Sequence, residues 1–529
     1  MGEKNYEPLY FLPDEYLRVM GKKAQRNNIA AAKLVAEAVR TTLGPKGMDK
    51  MIVDSSNNVI VTNDGAEILS HLSLEHPVAR MIADISKNQE RSVGDGTTTA
   101  AVLAGELLSH AEKLLDMNIH PSVIIKGYRM ALKKAKEVLR KLSKETQPDD
   151  DMLKKIAETA MTGKGAEQAK DILADICVKA VKAISQQKKI DSSDVRIFSI
   201  QGGSIEDSEL VHGIVLEKEK VNSSMPQEVK DAKVLLLDAP LEVRETEISA
   251  NIQISNPEQM HKFIDMEDSM IKEMIDKIEK LDVDVVLCQK GIDNLAAHYL
   301  AKKGIFALRR VKRSDMQKLA KMSQGRIIST LEEASADDLG RIDILREDKL
   351  SEESYVFLES RNSSVVTLIA RGSTVEAMDE VKRALDDAVG DLTTFMREKR
   401  IVAGAGACEV ALLTQILRYS EELTGKEQLA VRAFAEALEI IPKTLAENAG
   451  LDPIDILAKL KVEHNEGKKH NGIDVFDGSI INSYEKGIVE PFQVKLEAVV
   501  SATELAIMIL RIDDVITAQP SQPKEKQEE

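Results

Sequence analysis

The hexapeptide Gly94-Asp95-Gly96-Thr97-Thr98-Thr99 is followed directly by an apolar run from Ala100 to Met117. Apolar residues in this run recur at spacings of three and four, which predicts a helix. A helix N-terminus presents unpaired backbone N–H groups and the positive end of a dipole, and it therefore suits phosphate. The glycines permit close approach of the backbone, the threonines donate hydrogen bonds, and Asp95 supplies a carboxylate for the Mg²⁺ that accompanies a nucleotide. The alternative is a threonine-capped helix after a tight turn. The acid within the turn and the threonine triplet favour the phosphate site.

Composition narrows the class of protein. A chain of 529 residues, 43% hydrophobic and 30% charged, is typical of a globular protein with several domains. The formal charge of −16 and an aromatic content of 3% argue against a nucleic-acid binder. No apolar run approaches the roughly 20 residues that span a bilayer, and no signal-peptide pattern is present, so no membrane partner is expected. Cys177, Cys288 and Cys408 lack metal-ligand spacing, which predicts buried, inert thiols in a reducing cytoplasm.

Three segments of different character follow one another along the chain. The first is mainly helical, with an amphipathic helix at 28–43, a turn at 43–47, a strand pair at 51–53 and 59–62, and a turn at 63–65. Short strands then alternate with helices, which is typical of an α/β segment; strands are predicted at 234–237, 283–287, 305–308, 326–328 and 365–370. Helical patterns return at 375–396 and continue to about residue 510, and 519–529 have the composition of a disordered tail.

Three motifs in this order resemble the nucleotide pocket of the chaperonins. They are Thr42-Leu-Gly-Pro-Lys-Gly-Met-Asp-Lys-Met51, Asn63-Asp-Gly-Ala66 and the hexapeptide at 94–99. The first motif, with the stretch from Leu445 to Leu457, resembles the group II branch, and its archaeal members are the nearer match. The likeness runs from about Glu15 to Ala518. It implies a multidomain α and α/β chaperonin fold, with a helical equatorial domain, a small α/β intermediate domain and an α/β apical domain that carries a helical protrusion.

The resemblance also implies a discontinuous division of the chain. The expected segments are 1–147 (equatorial, first part), 148–218 (intermediate, first part), 219–369 (apical, with a lid protrusion around 241–275), 370–402 (intermediate, second part), 403–518 (equatorial, second part) and 519–529 (disordered tail). This division agrees with the helical, α/β, helical order of the sequence patterns.

Three acidic residues carry the chemistry that the resemblance implies. Asp95 matches the family's magnesium ligand, Asp64 matches one of two carboxylates that position the attacking water, and Asp387, rather than its neighbour Asp386, aligns with the other. Taken alone, acids on a helix are typical of a solvated face. Carboxylates can orient a water toward a γ-phosphate, because its hydrolysis depends mostly on positioning and charge neutralisation. Since Asp64 and Asp387 are far apart in sequence, we expect them to meet only when the intermediate domain closes, which would make hydrolysis conditional on closure.

The other matches are expected to surround the nucleotide. The loop at 43–45 resembles one that lies against it, Lys164 resembles a γ-phosphate sensor, Asp474 lies in a stretch like the adenine-side wall, and Glu490 matches an acid near the ribose. Without the family, such a lysine and such acids are ordinary surface charges. The full set expected to bind ATP is Leu43, Gly44, Pro45, Gly65, Gly94, Gly96, Thr97, Thr98, Thr99, Lys164, Gly404, Ala405, Asp474 and Glu490. Ala405 replaces the middle glycine of the family segment, where a methyl group disfavours positive φ.

The central segment resembles the part of group II chaperonins that handles clients. Residues 241–263 resemble the protrusion that serves as a built-in lid, with Ile252, Ile254, Met260 and Phe263 as candidate lid contacts or, alternatively, as local core. Helices near 295–301 and 316–322 resemble the client-facing pair. The sequence does not fix which of their side chains bind clients.

The function implied by the resemblance is an ATP-dependent molecular chaperone with ATP and Mg²⁺ as cofactors. Identical or paralogous subunits would form two stacked rings that enclose unfolded client proteins and hydrolyse ATP. Two other classes stay open: a soluble phosphotransferase that uses the same cradle, and a non-catalytic scaffold. The lid-like insertion argues against the first and the retention of Asp64, Asp95 and Asp387 against the second. No motif in the sequence indicates whether the rings are homomeric or whether they hold eight or nine subunits.

Overall fold

The structure is a computed structural model, and it describes residues 16–53, 57, 59–165, 167–185, 190–243, 257–350, 353–361 and 363–518. The chain divides into two compact units. The first unit comprises 1–164 and 397–529, and the second comprises 165–396. Residues 165–396 are therefore an insertion between the two halves of the first unit, and each unit is described separately below.

The described elements follow the helical, α/β, helical order that the sequence predicts. In chain order they are β1 (Tyr16–Met20), α1 (Gly21–Arg40), β2 (Lys50–Val53), β3 (Val59–Thr62), α2 (Gly65–His71), α3 (Pro77–Val93), α4 (Thr97–Asp116), α5 (Pro121–Leu142), β4 (Lys144–Glu145), α6 (Asp150–Met161), α7 (Lys170–Ile184), β5 (Val195–Gln201), β6 (Glu209–Val211), β7 (Gly213–Glu217), β8 (Glu228–Leu237), α8 (Pro257–Lys280), β9 (Val285–Cys288), α9 (Asn294–Lys302), β10 (Phe306–Leu308), α10 (Arg313–Ser323), β11 (Ile327–Ile328), β12 (Gly340–Leu350), β13 (Glu353–Glu359), β14 (Val366–Gly372), α11 (Val375–Glu398), β15 (Arg400–Ala403), α12 (Ala407–Glu421), α13 (Glu427–Ala437), α14 (Ile440–Asn448), α15 (Pro453–Asn465), β16 (Asn471–Ile473), β17 (Ile480–Asn482), β18 (Val489–Pro491), α16 (Phe492–Leu510) and β19 (Asp514–Ala518).

Helix α4 is the centre of the first unit. It packs against α1, α3, α13 and α16, and most of its apolar residues are fully buried. Gly105 allows the close approach of α1, because a methyl group there would lie 2.3 Å from the Ala36 Cβ. The buried Tyr128 of α5 donates a hydrogen bond of 2.6 Å to the carbonyl of Leu107. A helix that is apolar on most of its surface must be enclosed by others, and this enclosure fixes the position of the α4 N-terminus.

Small sheets join distant parts of the first unit. Strands β1 and β19 pair antiparallel, as do β2 and β3, and β16 and β17. Strand β15 lies between β18 and β4 and pairs antiparallel with both. The β15 register places Val402 opposite Glu490. The two halves of the sequence therefore form one body in which residues near 400 and near 490 are neighbours.

The second unit contains two sheets. The larger has the strand order β10-β9-β8-β12-β13-β7, with β11 paired to β8. Its β8, β9, β10 and β11 pairings are parallel, and the pairings that involve β12 and β13 are antiparallel. The smaller sheet has the order β5-β14-β6. Parallel strands connected by helices confirm the α/β segment predicted from the sequence.

Several sequence predictions need adjustment at their ends. The helix predicted at 28–43 begins earlier, at Gly21, and ends at Arg40, and the helix predicted to begin at Ala100 begins at Thr97. The strand predicted at 234–237 begins earlier, at Glu228, and the other predicted strands agree within two residues. The three cysteines are buried and free as expected. None of the described helices combines the length and the apolarity that crossing a bilayer requires. The lid residues Ile252 and Ile254, the side chains of Met260 and Phe263, and the tail at 519–529 lie outside what is described.

Candidate nucleotide site

The N-terminus of α4 is built from two glycines in the left-handed region. Gly94, with φ of 92°, ends α3, and Gly96, with φ of 82°, is the N-cap of α4. Neither conformation is readily open to a residue with a side chain. No side chain caps α4 within the described part of the chain. The first N–H groups of α4, from Thr97 onward, therefore point out of the helix toward any anion placed there.

Gln89 fixes the loop between these two helices. Its side-chain amide donates to the carbonyls of Asp95 and Val494, at 3.0 and 3.1 Å. A methyl group at Gly96 would lie 3.0 Å from the Gln89 Nε2 and 3.1 Å from the Val494 Cγ1, so a larger residue would be crowded there as well as strained by the positive φ. Anchoring on both sides holds the backbone in place before a ligand arrives, which lowers the entropic cost of binding.

Asp95 is the residue of this loop that can hold a cation. One of its carboxylate oxygens accepts the N–H of Gly96 at 2.6 Å, and among the described residues no hydrogen bond to the other oxygen is recorded. The described residues contain no cluster of three or more His, Cys, Asp or Glu side chains that could hold a metal alone. Mg²⁺ keeps several waters and is usually bound by one or two carboxylates together with substrate phosphates. A single carboxylate at a phosphate site fits that mode of binding.

Asp64 connects the start of α2 to the start of α4. It is the N-cap of α2, where its carboxylate accepts the Glu67 N–H at 2.8 Å, and it also accepts the Thr97 hydroxyl at 3.1 Å. Gly65 allows the two helices to approach, because a methyl group there would lie 2.5 Å from the Thr98 Oγ1. This places the Asp64 carboxylate directly beside the N-terminal end of α4.

The loop at 43–45 reaches the same region through several contacts. Asn448 donates its amide to the Leu43 carbonyl at 2.8 Å, and a methyl group at Gly44 would collide with Leu445. Gly163, with φ of 83°, approaches the Pro45 backbone so closely that a methyl group there would lie 2.5 Å from the Pro45 Cα. The Gly163 carbonyl accepts the amide of Asn63 at 2.9 Å.

These contacts bring two of the predicted residues, Lys164 and Asp64, near each other. Lys164 follows Gly163, and Asn63, which holds the Gly163 carbonyl, precedes Asp64. Gly163 is thus in contact both with the loop at 43–45 and with the turn that carries Asp64. The loop at 43–45, Lys164 and Asp64 are therefore neighbours.

Residues 404–406 form a second tight turn, at the start of α12. Ala405 adopts φ of 56° and Gly406 φ of 75°, so the alanine does take the positive φ that its methyl group disfavours. Its carbonyl accepts the Ile473 N–H at 3.0 Å, which brings the following residue, Asp474, to the same turn. The Gly404 carbonyl accepts the buried Ser483 hydroxyl at 3.1 Å. These bonds hold the turn in its left-handed conformation.

Glu490 lies beside this turn within a buried group of charges. Lys495 lies 2.7 Å from Glu409 and 3.0 Å from Glu490, and the Lys495 and Glu409 side chains are 9% and 5% exposed. Burial raises the pKa of Glu490, Lys495 opposes the shift, and the charges of Glu409 and Asp95 add to it. Asp95 is thus near enough to Glu490 for its charge to contribute to this shift.

Comparison with known proteins identifies the family to which this chain belongs. The model of the TCP-1/cpn60 chaperonin family matches residues 35–520. The chain is a member of the TCP-1/cpn60 chaperonin family. Relatives include the thermosome subunit of Methanopyrus kandleri, 52% identical over 96% of this chain and 94% of that protein, and the thermosome subunit of Methanocaldococcus jannaschii, 51% identical over 98% and 97%. The thermosome beta subunit of Archaeoglobus fulgidus is 51% identical over 97% of this chain and 95% of its own length. The expected likeness to archaeal group II chaperonins is confirmed.

One residue of the predicted site, Asp387, lies in the second unit. Asp387 is on α11, half-buried, between the buried Leu385 and Ala388, and its neighbour Asp386 is exposed. Every other predicted site residue belongs to the first unit, where the contacts above connect the loops and helix ends that carry them.

The sequence did not indicate three residues that shape the pocket. Gln89 lies among the polar residues of α3, and Glu409 and Lys495 are isolated polar residues in the more apolar helices α12 and α16. Polar residues at such positions are typical of a solvated face. Only Glu409 carries a local signal, because it follows the 404–406 turn closely. Their partners lie in distant segments of the chain, so spacing alone does not indicate the contacts.

Proposed function

We propose that this chaperonin is an ATP-driven protein-folding machine that binds ATP with Mg²⁺ at the N-terminus of α4. The observation that supports this most is the uncapped helix start between Gly94 and Thr97, with Asp95 in the loop and Asp64 beside it. Phosphate oxygens would accept the N–H groups of residues 97–99 and the hydroxyls of Thr98 and Thr99, because the Thr97 hydroxyl donates to Asp64. Asp95 would hold the Mg²⁺ that neutralises the phosphate charge.

Each remaining residue has a role that follows from its position. Asp64 would orient a water toward the γ-phosphate, together with Asp387 from the second unit. Lys164, at the rim, would respond to the presence of the γ-phosphate. The turn at 404–406, Asp474 and Glu490 would hold the nucleoside end. The water-positioning carboxylates come from different units, so turnover would depend on the arrangement of the units and ATP could time a conformational cycle.

We further propose that the subunits assemble into two stacked rings and enclose unfolded clients. Relatives named as alpha and beta subunits support assemblies of paralogous chains. The domain division proposed is 1–147 with 403–518 (equatorial), 148–218 with 370–402 (intermediate) and 219–369 (apical, with the lid). ATP can drive closure only if the closed form binds it more tightly than the open form does, because equal affinity shifts no equilibrium.

The variant Asp387→Ala tests the proposed hydrolysis, with Asp386→Ala as a matched control on the same helix. We expect nucleotide binding to persist in both variants, and phosphate release to fall by about 100-fold or more in Asp387→Ala alone, as for loss of a catalytic group. Normal turnover in Asp387→Ala, or an equal loss in Asp386→Ala, would show that the role assigned to Asp387 is wrong. Light scattering on the same preparations tests the rings. A stable monomer that hydrolyses ATP would favour the phosphotransferase class instead.

A further inference from the structure

The first unit contains a second cavity that none of the predicted nucleotide residues lines. Its volume is 530 Å³, which lies within the range of small-molecule sites. Lys134 and Lys141 of α5, Lys144 of β4, and Lys469 and His470 before β16 contribute to its wall. No aspartate or glutamate is among its described lining residues. The wall therefore offers several hydrogen-bond donors with positive charge and no carboxylate to balance them.

The positive charge of the four lysines is not balanced by ion pairs. Within the described part of the chain, none of the four has a carboxylate within 4.0 Å, although the chain as a whole carries a formal charge of −16. The contrast is clearest at adjacent positions: Lys468 contacts Glu463 at 2.7 Å and Glu466 at 3.3 Å, whereas its neighbour Lys469 lines the cavity. In a chain with an excess of acids, a group of cations without acidic partners is an uncompensated local charge.

The dipole of α5 explains only part of this group. A cation in the last turn of a helix is favoured by the partial negative charge of its C-terminus, and Lys141 is in that position. Lys144 and Lys469 lie outside helices, so the dipole gives no reason for them. Both lysines also affect His470. Burial lowers the pKa of His470 most, and the positive charges of Lys469 and Lys144 lower it further. His470 is therefore a neutral imidazole near pH 7.

Aromatic side chains give the cavity a defined wall. The His470 and Tyr484 rings meet edge to face, with centroids 4.7 Å apart, and the Lys144 Nζ lies 6.0 Å from the centre of the Tyr484 ring. The Tyr484 hydroxyl donates to the Ile401 carbonyl at 3.3 Å, and the His470 carbonyl accepts the Ser483 N–H at 3.0 Å. The Tyr484 ring is thus tied to the backbone through its hydroxyl, and the His470 backbone is held beside it, so the cations lie around a wall that hydrogen bonds position.

We propose that this cavity binds a small polyphosphate anion. Lysine ammonium groups bind phosphate as point charges, and several of them around one cavity favour a ligand with several negative charges over a single carboxylate. None of the predicted nucleotide residues lines the cavity, but its wall includes residues of α12 and β4. The 404–406 turn lies between α12 and β15, the strand with which β4 pairs. The proposal does not depend on the function proposed above.

The test is a calorimetric titration of the full-length, assembled protein with tripolyphosphate in metal-free buffer. The variant Lys144→Gln/Lys469→Gln removes two charges from the cavity. The binding assigned to the cavity is the part that loss of cavity lysines weakens, because the nucleotide site keeps all of its residues in that variant. The control Lys133→Gln/Lys136→Gln removes the same charge from residues of α5 that do not line it.

We expect one tripolyphosphate in the cavity of each subunit, with affinity at least tenfold lower in the cavity variant and within about twofold of wild type in the control. The absence of saturable binding to the wild-type protein would overturn the proposal. So would an equal loss in both variants, because that result indicates attraction to net charge rather than to a site. Circular dichroism on both variants verifies that the fold is retained.

Discussion

The two functions of Asp64 can be separated by replacing it with asparagine and with alanine. The carboxylate caps α2 through the 2.8 Å contact to Glu67 and accepts the Thr97 hydroxyl at 3.1 Å. Alanine loses both interactions, for which about 1 kcal/mol each is a reasonable magnitude, so Asp64→Ala should destabilise the protein by about 2 kcal/mol. Asparagine is an equally good N-cap, but its single carbonyl oxygen can accept the Glu67 N–H and not the Thr97 hydroxyl as well, because the two bonds use different carboxylate oxygens of Asp64. Asp64→Asn should therefore cost about 1 kcal/mol, about half the loss expected for alanine.

Turnover should follow charge and not stability. If Asp64 orients the attacking water, both variants lose the carboxylate, and phosphate release should fall by about 100-fold in each. Scanning calorimetry of the assembled protein measures the order of stability, and steady-state phosphate release measures turnover. Asp149 provides a matched control, because it caps α6 in the same manner, with its carboxylate 2.8 Å from the Met152 N–H. Asp149→Ala should cost about 1 kcal/mol and leave turnover unchanged.

Two results would refute this reasoning about Asp64. If Asp64→Asn hydrolyses ATP within about threefold of the wild-type rate, Asp64 is a structural cap and the water must be oriented by another group. If Asp64→Asn is as unstable as Asp64→Ala, the cap is not the interaction that stabilises this position.

Three further substitutions test the surroundings of the site. Ala405→Gly should stabilise the protein by about 1 kcal/mol. Relief of about 1–2 kcal/mol of strain at the left-handed φ exceeds the cost of the greater entropy that glycine gives the unfolded chain. A lower melting temperature would contradict this. Lys495→Met should destabilise the protein by about 3–5 kcal/mol, because it leaves Glu409 buried without its cation. Melting curves should show a much smaller loss of stability for Lys495→Arg, which keeps the charge. Equal losses in the two variants would contradict the charge argument. Gly65→Ala should weaken ATP binding at least tenfold in a titration with labelled nucleotide, because the new methyl group displaces Thr98. Unchanged affinity would mean that the two helix starts need not be this close.

The sequence predicts the elements whose patterns are local. The apolar period of α4 and the glycines before it indicate both the helix and its uncapped start, and the strand pair β2–β3 was predicted from two short β-branched runs. The first turns of α1 were missed because residues 21–27 are mostly polar. Ala24 and Asn28 are nevertheless buried there, by packing that the sequence pattern does not contain.

Contacts between distant segments are the part of the site that the sequence does not predict. Asp64, Asp95 and the threonines were identified from motifs, because turn and helix-start chemistry is local. The Lys495–Glu409 ion pair was not, since buried charges of opposite sign are recognisable only when the fold brings them together. The strain at Ala405 was foreseen in kind, as a methyl group where glycine is usual, but its φ of 56° follows from the hydrogen bonds that hold the turn.

The central claim is that ATP drives folding of a client by this chaperonin, and refolding yield tests it most directly. A chemically denatured enzyme is diluted into the assembled wild-type protein with Mg²⁺, with or without ATP, and its recovered activity is measured against spontaneous refolding. We predict that the yield exceeds the spontaneous value when ATP and Mg²⁺ are present, and that without ATP the client is held and the yield falls below that value. A yield that is the same with and without ATP would contradict the account.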